Sequence, residues 1–360
     1  MPYDTYDFSK IVLPLLQWYD KNKRDLPWRQ SQNPYHIWIS EIMLQQTRVE
    51  AVKPYYARFL EALPTVEALA MAEEGVLLKL WEGLGYYSRV RNMKVAAQEV
   101  MERHAGQLPA DYHQLLKLKG IGPYTAGAIA SIAFSLPFPA IDGNVLRVMS
   151  RLSKDENDIS LPKTKKIWEE VLLEIIPTNQ PGAFNQGLME LGATVCLPNG
   201  APKCMACPLR SFCQAYQYDV IAQYPVKAQK KARVVEHRQV FFVTTGEKIA
   251  IQKRPAKGLL SSLWELPNVL SAEGAQAPFP ELLQHWGITI ADITPMTEQK
   301  HIFTHIEWHM ECFYVKATAL TQNTVGLTWA TPTEIEAHHA LPSAFKKIYA
   351  EGVSTNGEGK

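Results

Sequence analysis

The stretch that most constrains this chain runs from residue 115 to 144, LLKLKGIGPYTAGAIASIAFSLPFPAIDGN. An apolar helix is predicted to end at Leu116-Lys117-Leu118-Lys119. A tight turn follows at Gly120-Ile121-Gly122-Pro123, and a small-residue helix begins at Tyr124-Thr125-Ala126-Gly127. Gly120 and Gly122 permit positive φ and close backbone approach, and Pro123 at a first helical position costs no hydrogen bond. Such a turn points free main-chain N–H groups and a helix N-terminus outward, which is a natural phosphate seat. A Pro-rich bend then delivers an acid in Ile141-Asp142-Gly143-Asn144. Many helical proteins turn on glycine, so the hairpin alone is a moderate signal; followed by this acid it is a strong one.

At 360 residues, the chain is long enough for two domains with proper cores. Its 46% hydrophobic and 20% charged residues are ordinary for a soluble globular protein. The 37 basic and 36 acidic side chains leave a net charge of +1. No global basic field announces a nucleic acid, so any DNA binding must come from local patches and oriented amides. No apolar run is long enough to span a bilayer, and MPYDTYDFSK lacks a targeting pattern, which makes a cytoplasmic location the expectation. Four of the five cysteines, Cys196, Cys204, Cys207 and Cys213, are spaced C-x7-C-x2-C-x5-C. In a cytosolic protein such a cluster binds metal more often than it forms disulfides. Tetrahedral zinc and an iron–sulfur cluster both fit. Cys312, in a predicted strand, reads as a core residue.

Several positions along the chain can carry chemistry. Residues 8–20 have an amphipathic helical pattern despite Pro14. The turn-rich stretch after them spaces out Arg24, Trp28 and Arg29, either as a surface loop or as groups that stack on and bond to an unpaired base. Residues 34–49 read as a helix apolar on nearly every face, with Glu41 inside it. A buried carboxylate is costly, so it is either paired, with Arg48 nearby, or kept protonated as a general acid needs. Gln45-Gln46-Thr47 end that run with amides able to read base edges or plug a duplex. Residues 54–104 read as two or three helices. Their Trp81-Glu82-Gly83-Leu84-Gly85-Tyr86-Tyr87-Ser88-Arg89 loop is either a core aromatic pair or an aromatic wedge for DNA. Helices resume after Asp142, and Gln186 lies on the last before the cysteines.

Residues 218–235 lose the helical period and become basic, which suggests a linker that could lie against phosphates. Beyond it the pattern changes to strands at 238–245 and 248–253. A loop, RPAKGLLSSLWELPNV, comes next, then a helix near 280–286, more strands around 298–316, and a final helix from near Pro342. This is a separate α+β domain.

Taken together, RDLPWR, SEIMLQQTRV, WEGLGYYSR, LKGIGPYTAGAIAS, IDGNVLRV, FNQGLMELG and the four cysteines resemble the MutY family of adenine DNA glycosylases. RPxxGLLxxLWELP and HIFTHIEW resemble that family's C-terminal domain, which is related to Nudix hydrolases and recognises 8-oxoguanine. The resemblance implies an all-α helix-hairpin-helix glycosylase domain over 1–217 with a 4Fe–4S loop at 196–213. A linker at 218–235 and an α+β Nudix-like domain over 236–360 would follow. The implied partner is double-stranded DNA with adenine opposite 8-oxoguanine or guanine, bound by a monomer associated with the nucleoid if the source is bacterial. Glu41 would protonate adenine at N7, and Asp142 would stabilise the oxocarbenium-like sugar, by charge or by transient covalent attack. Tyr124 and Asn144 would support that centre. Arg24, Trp28, Arg29 and Gln186 would line the adenine pocket, and Gln46 and Tyr86 would wedge into the duplex. Phe303, Thr304 and His305 would touch 8-oxoguanine, while Gly120, Gly122 and Thr125 would hold the DNA backbone. Cys196, Cys204, Cys207 and Cys213 would hold the 4Fe–4S cluster.

In related endonuclease III-like enzymes a Lys after the hairpin glycines forms a Schiff base and cuts the strand; here that residue is Tyr124, which predicts a monofunctional glycosylase. The first cysteine gap is x7 where the family commonly has x6, and Thr304 stands where the family often has Ser, keeping the hydroxyl. No REx₂EE run follows Trp264-Glu265-Leu266-Pro267, so the C-terminal domain should bind rather than hydrolyse, which argues against a nucleotide pyrophosphohydrolase. The FTH triplet and LWELP argue against a thymine-specific relative. The presence of both acids argues against a non-catalytic lesion binder.

Overall fold

The structure, a computed structural model, describes residues 6–228, 232–272, 283, 286–320 and 326–358. The chain divides into two compact units, Met1–Met71 with Asn92–Gln229, and Ala72–Arg91 with Lys230–Lys360. No helix among the described residues is long and apolar enough to cross a membrane.

The helices, in chain order, are α1 (Val12–Asn22), α2 (Pro34–Leu44), α3 (Val49–Ala62), α4 (Val66–Met71), α5 (Glu74–Leu80), α6 (Ser88–Arg103), α7 (Tyr112–Leu115), α8 (Pro123–Phe134), α9 (Gly143–Ser153), α10 (Pro162–Ile175), α11 (Pro181–Thr194) and α12 (Gln214–Gln217). The 54–104 stretch thus holds four helices rather than two or three, because α4 and α5 are too short to show a period. α2 starts from an Asn33 cap, whose side chain accepts the Tyr35 N–H, and stops at Leu44 rather than near 49. The stop coincides with Gln46 in the left-handed region at φ 59°. The helix expected to reach Lys119 is only α7; Leu116–Ile121 continue as successive main-chain turns.

The hairpin glycines divide their work. Gly120 has φ +79°, and a Cβ there would sit 2.7 Å from Cβ of Asn92. Gly122 is not left-handed: at φ −94° and ψ −179° it is extended backbone that any residue adopts, and it caps α8. A Cβ on Gly122 would meet nothing within 4 Å, so the fold itself does not demand a glycine there. α8 packs against α2 and α11, and α11 also against α1 and α9. One closing contact is tight: a Cβ on Gly127 would lie 2.0 Å from the Pro139 carbonyl oxygen. The Pro-rich bend is therefore laid directly on α8. Leu15, Trp168, Phe184, Leu188 and Met149 centre a core that reaches the cysteines, with Cys196, Cys207 and Cys213 packed on its edge.

In the second unit, a seven-stranded sheet is built from β1 (Val234–Thr244), β2 (Ile249–Lys253), β3 (Trp264–Glu265), β4 (Asn268–Ser271), β5 (Ile288–Ile302), β6 (Ile306–Leu320) and β7 (Leu327–Ala330). The order is β3-β2-β1-β6-β5, with β4 also on β1 and β7 on β2. β1 and β6 run parallel and the other pairs antiparallel. Alternation sends Val240, Phe242, Trp308 and Met310 to one face, where α13 (Pro332–His338) and α14 (Ser343–Glu358) supply Ile335, Phe345 and Ile348. Phe241, Val243 and Val315 go to the other face, with Leu283 and Trp286. Apart from those two residues, the helix expected near 280–286 lies outside the described residues. Of the stretch expected as a linker, Tyr224–Ala228 lies along the first unit: Arg151 donates to the Tyr224 carbonyl, Ile159 N to Val226 O, and Ala228 N to Asp158. Val234 and Val235 already belong to β1, and 229–231 lie outside the described residues.

Candidate active site

Two acids come together at the hairpin. Glu41 lies mid-α2 and is 6% exposed. Its carboxylate accepts from the hydroxyl of Tyr124, the second residue of α8. Arg48 is not its partner, so the salt-bridge reading of Glu41 gives way to a phenol–carboxylate pair. Burial pushes Glu41 up to about 7, the Tyr124 hydrogen bond and Arg29 pulling against it and Asp142 adding to it. Burial, with Glu41 and Asp142 beside it, holds the Tyr124 phenol well above its ordinary value. The Tyr124 hydroxyl also lies 3.7 Å from Met189 Sδ.

Asp142 caps α9. One carboxylate oxygen accepts the main-chain N–H groups of Asn144 and Val145 at 2.9 and 2.8 Å, and the other accepts the Asn144 amide at 2.6 Å. Burial raises its carboxyl, and these donors oppose that rise. Asn144 is oriented in turn by Arg147, whose guanidinium donates to its Oδ1 at 2.9 Å and to the carbonyls of Gly192 and Cys196. The bend before Asp142 is pinned by buried Asn185, which accepts from Ala140 N and donates to Phe138 O and Ser131 Oγ. A pair of buried carboxyls, one bonded to a phenol and one held by three donors that oppose the rise burial causes, can divide acid and charge-stabilising roles.

The other expected site residues take different positions. Arg24 and Arg29 converge on buried Glu190 of α11, at 2.6 and 3.0 Å from Arg24 and 2.7 Å from Arg29. Burial alone would raise Glu190, but the two guanidiniums more than offset it, and its carboxyl sits below the ordinary value. Trp28 is buried, edge-on to Tyr56 at 5.5 Å between centroids. Gln186 is half-buried on α11, and Gln46 is exposed. Thr125 is 2% exposed and its hydroxyl accepts from Gln45, so its side chain faces the protein.

Cys196, Cys204, Cys207 and Cys213 line one cavity with Arg151 and Arg210. Burial pushes the Cys207 and Cys213 thiols up to about 12 and 11. Arg151 adds a guanidinium 3.2 Å from Cys196 Sγ. The four thiols line one space with two guanidiniums, a donor set of the kind that soft metals take, but among the described residues no three of them stand close enough to hold one ion.

In the second unit, Phe303-Thr304-His305 form the turn between β5 and β6. Phe303 packs back on Trp308 at 4.8 Å, while Thr304 and His305 are exposed at the tip. Arg233 and Val234 donate to the carbonyls of Phe303 and His305. Glu265, the acid of LWELP, is 4% exposed and bound to Arg254 and Gln252.

Both parts of the chain have known relatives. Residues 39–177 match the HhH-GPD superfamily of base excision DNA repair proteins, and 239–351 match the NUDIX domain. An adenine DNA glycosylase from Schizosaccharomyces pombe is 32% identical over 93% of this chain and 87% of its own. The chain belongs to the adenine DNA glycosylase family. A relative of the same name from Arabidopsis thaliana is 34% identical over 94% of this chain, which spans 64% of that protein's length. Among solved structures, a thermostable thymine-DNA glycosylase superposes with a TM-score of 0.53 at 28% identity, covering 58% of this chain and 97% of its own. The helical hairpin unit and the Nudix-like mixed sheet are thus the fold expected from the motifs.

Sequence reasoning missed four residues of this candidate site. Glu190 carried the same signal as Glu41, an acid in an apolar helical run, within LMELG. Arg147 and Asn185 read as ordinary helix residues, because only the fold turns them toward Asn144 and the Asp142 bend. Met189 looked like core.

Proposed function

We infer that this protein is a base-excision enzyme that flips adenine out of duplex DNA, opposite 8-oxoguanine or guanine, and hydrolyses its N-glycosidic bond to leave an abasic site. The observation that carries this is the buried Glu41–Tyr124 pair beside the capped, ionisable Asp142. Glu41, pushed up to about 7, donates a proton to N7, so that the C1′–N9 bond breaks with neutral adenine leaving. Tyr124 holds that carboxyl in line. Asp142 faces the cationic sugar, fixed by Asn144, until water adds at C1′ and gives its proton to solvent. Arg24, Arg29 and Gln186 supply donors for the extruded base. The family resemblance supports the lesion preference, with Thr304 and its neighbours as the reader. Glu265 is already engaged by Arg254, leaving the second unit without a free acid in that motif and consistent with binding rather than hydrolysis. The four cysteines would hold a 4Fe–4S cluster, which when bound supplies a covalent tie across their loop and, in principle, electron transfer.

The absence of an amine at Tyr124 supports a monofunctional reaction. The test is single-turnover excision on a duplex with adenine opposite 8-oxoguanine, quenched with and without hot alkali, beside a duplex with thymine opposite guanine. Nicked product only after alkali, and only from the adenine strand, is expected. Cutting without alkali would sink the monofunctional reading; excision of thymine would sink the adenine reading.

A further inference from the structure

Residues 72–91 pack with the C-terminal residues, and that grouping brings two loops together. The first, 81–87, is braced from within. Trp81 Nε1 donates to the Gly85 carbonyl at 3.1 Å, Arg89 donates to the carbonyls of Leu84 and Gly85 at 3.1 Å, and its guanidinium lies 5.3 Å from the Trp81 ring centroid. Tyr86 projects from this loop at φ 47°, a conformation that costs a non-glycine residue energy and persists only where its surroundings hold it. Its hydroxyl lies 2.8 Å from Thr304 Oγ1, on the second loop, and both residues are exposed.

Ties behind the tips hold this pairing. Arg91 donates to the Ser261 carbonyl at 2.5 Å and to Ser261 Oγ at 3.2 Å, while its Nε reaches Glu74 at 2.6 Å. Glu82, its side chain 12% exposed, pairs with Lys79 at 2.6 Å and with Lys346 of α14 at 2.9 Å. Lys79 also reaches the Ile335 carbonyl on α13. One exposed ion pair would contribute little. A guanidinium engaged on three acceptors, with a half-buried carboxylate shared by two lysines, fixes orientation as well as distance.

We propose that Arg91 is a specificity-setting positioning residue. By gripping Ser261 it holds the Tyr86 and Thr304 loops as one preformed probe for the purine left opposite the extruded adenine. This rests on the reading above, in which these loops meet that base. 8-Oxoguanine and guanine differ by a few hydrogen-bonding atoms, so a reader that is loose by a fraction of an ångström loses discrimination before it loses affinity. A preformed pair also avoids ordering two loops on binding.

The experiment measures, on the full chain, the ratio of single-turnover rates with adenine opposite 8-oxoguanine and opposite guanine, at subsaturating enzyme. Arg91→Met keeps the aliphatic stem and removes the grip. It is expected to lower the ratio by about fivefold or more, with the saturated rate on the 8-oxoguanine duplex within about twofold of the parent. Thr304→Ala should lower the ratio too, and the double variant should be no worse than the worse single one. A ratio that falls with Thr304→Ala but holds in Arg91→Met overturns the proposal and leaves the reading intact. If both variants keep the ratio, the reading of the Thr304 loop fails as well. Equal slowing on both duplexes assigns Arg91 a purely structural role and also overturns the proposal. Should Arg91→Met not fold, Lys346→Met cuts the Glu82 tie from its exposed side; an unchanged ratio there counts against the proposal in the same way.

Discussion

The Tyr124 hydroxyl is bonded to the Glu41 carboxylate, across the packing of α8 on α2, and this bond opposes the burial that raises Glu41. In the proposed reaction Glu41 acts protonated, so the rate should decline as pH rises through about 7. Tyr124→Phe removes a hydrogen bond that favours the ionised form, so the decline should move to higher pH. A pH profile of the single-turnover rate checks this; a shift to lower pH would place another group in control of that limb.

The same burial makes Glu41 a stability switch. Its folded value, about 7, lies above the ordinary carboxyl value of 4.5, so the folded state holds its proton more tightly than the unfolded one. Stability from this group is complete below the lower value and is lost as pH rises through the upper one. Glu41→Gln cannot ionise. It should exceed the parent at pH 8 by on the order of 3 kcal/mol and match it near pH 4, as read by denaturant unfolding at the two pH values.

Asp142 does two jobs, and asparagine can do one of them. Asn retains an acceptor for the first turn of α9, so Asp142→Asn should fold and bind lesion DNA as the parent does. Excision should fall by at least ~10³-fold, because the proposed reaction sets that charge against the sugar. Loss of cooperative unfolding in the variant would instead give Asp142 a mainly structural part.

The two hairpin glycines should fail differently. Gly120→Ala meets both positive φ and Asn92, and should cost about 1–3 kcal/mol of stability. Gly122→Ala meets nothing in the protein and should leave the melting temperature unchanged, yet weaken DNA binding if a phosphate approaches that backbone. Equal DNA affinity in Gly122→Ala and parent would remove the phosphate seat from this turn.

Glu190→Gln leaves two guanidiniums facing a neutral amide. A loss of about 2–4 kcal/mol is expected in chemical denaturation. The loss should shrink in a variant that also carries Arg29→Met, since the orphaned charge is then reduced. Additive losses would deny the coupling.

How far the sequence could be read follows from locality. The hairpin, Glu41, Asp142 and the cysteines stand out because each is a local oddity: glycines beside proline, an acid among apolar residues, four thiols in a short span. Glu190 was equally odd and lay in plain view, but its two arginines come from far up the chain. Arg147 and Asn185 were invisible because a helix face has no meaning until its neighbours are known. The extent of α7 and the shortness of α4 and α5 were misread because one or two turns carry no period. At Gly122 only the expected positive φ is not used, because the sequence of a turn does not say which of its glycines is left-handed.

The contact of Gly127 with the Pro139 carbonyl has an implication for inherited variation. A methyl group there has no room, so the change should displace the bend carrying Asp142. The same holds where Gly192 meets Asn144, with 2.5 Å available to a Cβ. Such chemically blank positions should tolerate substitution poorly, for want of room alone.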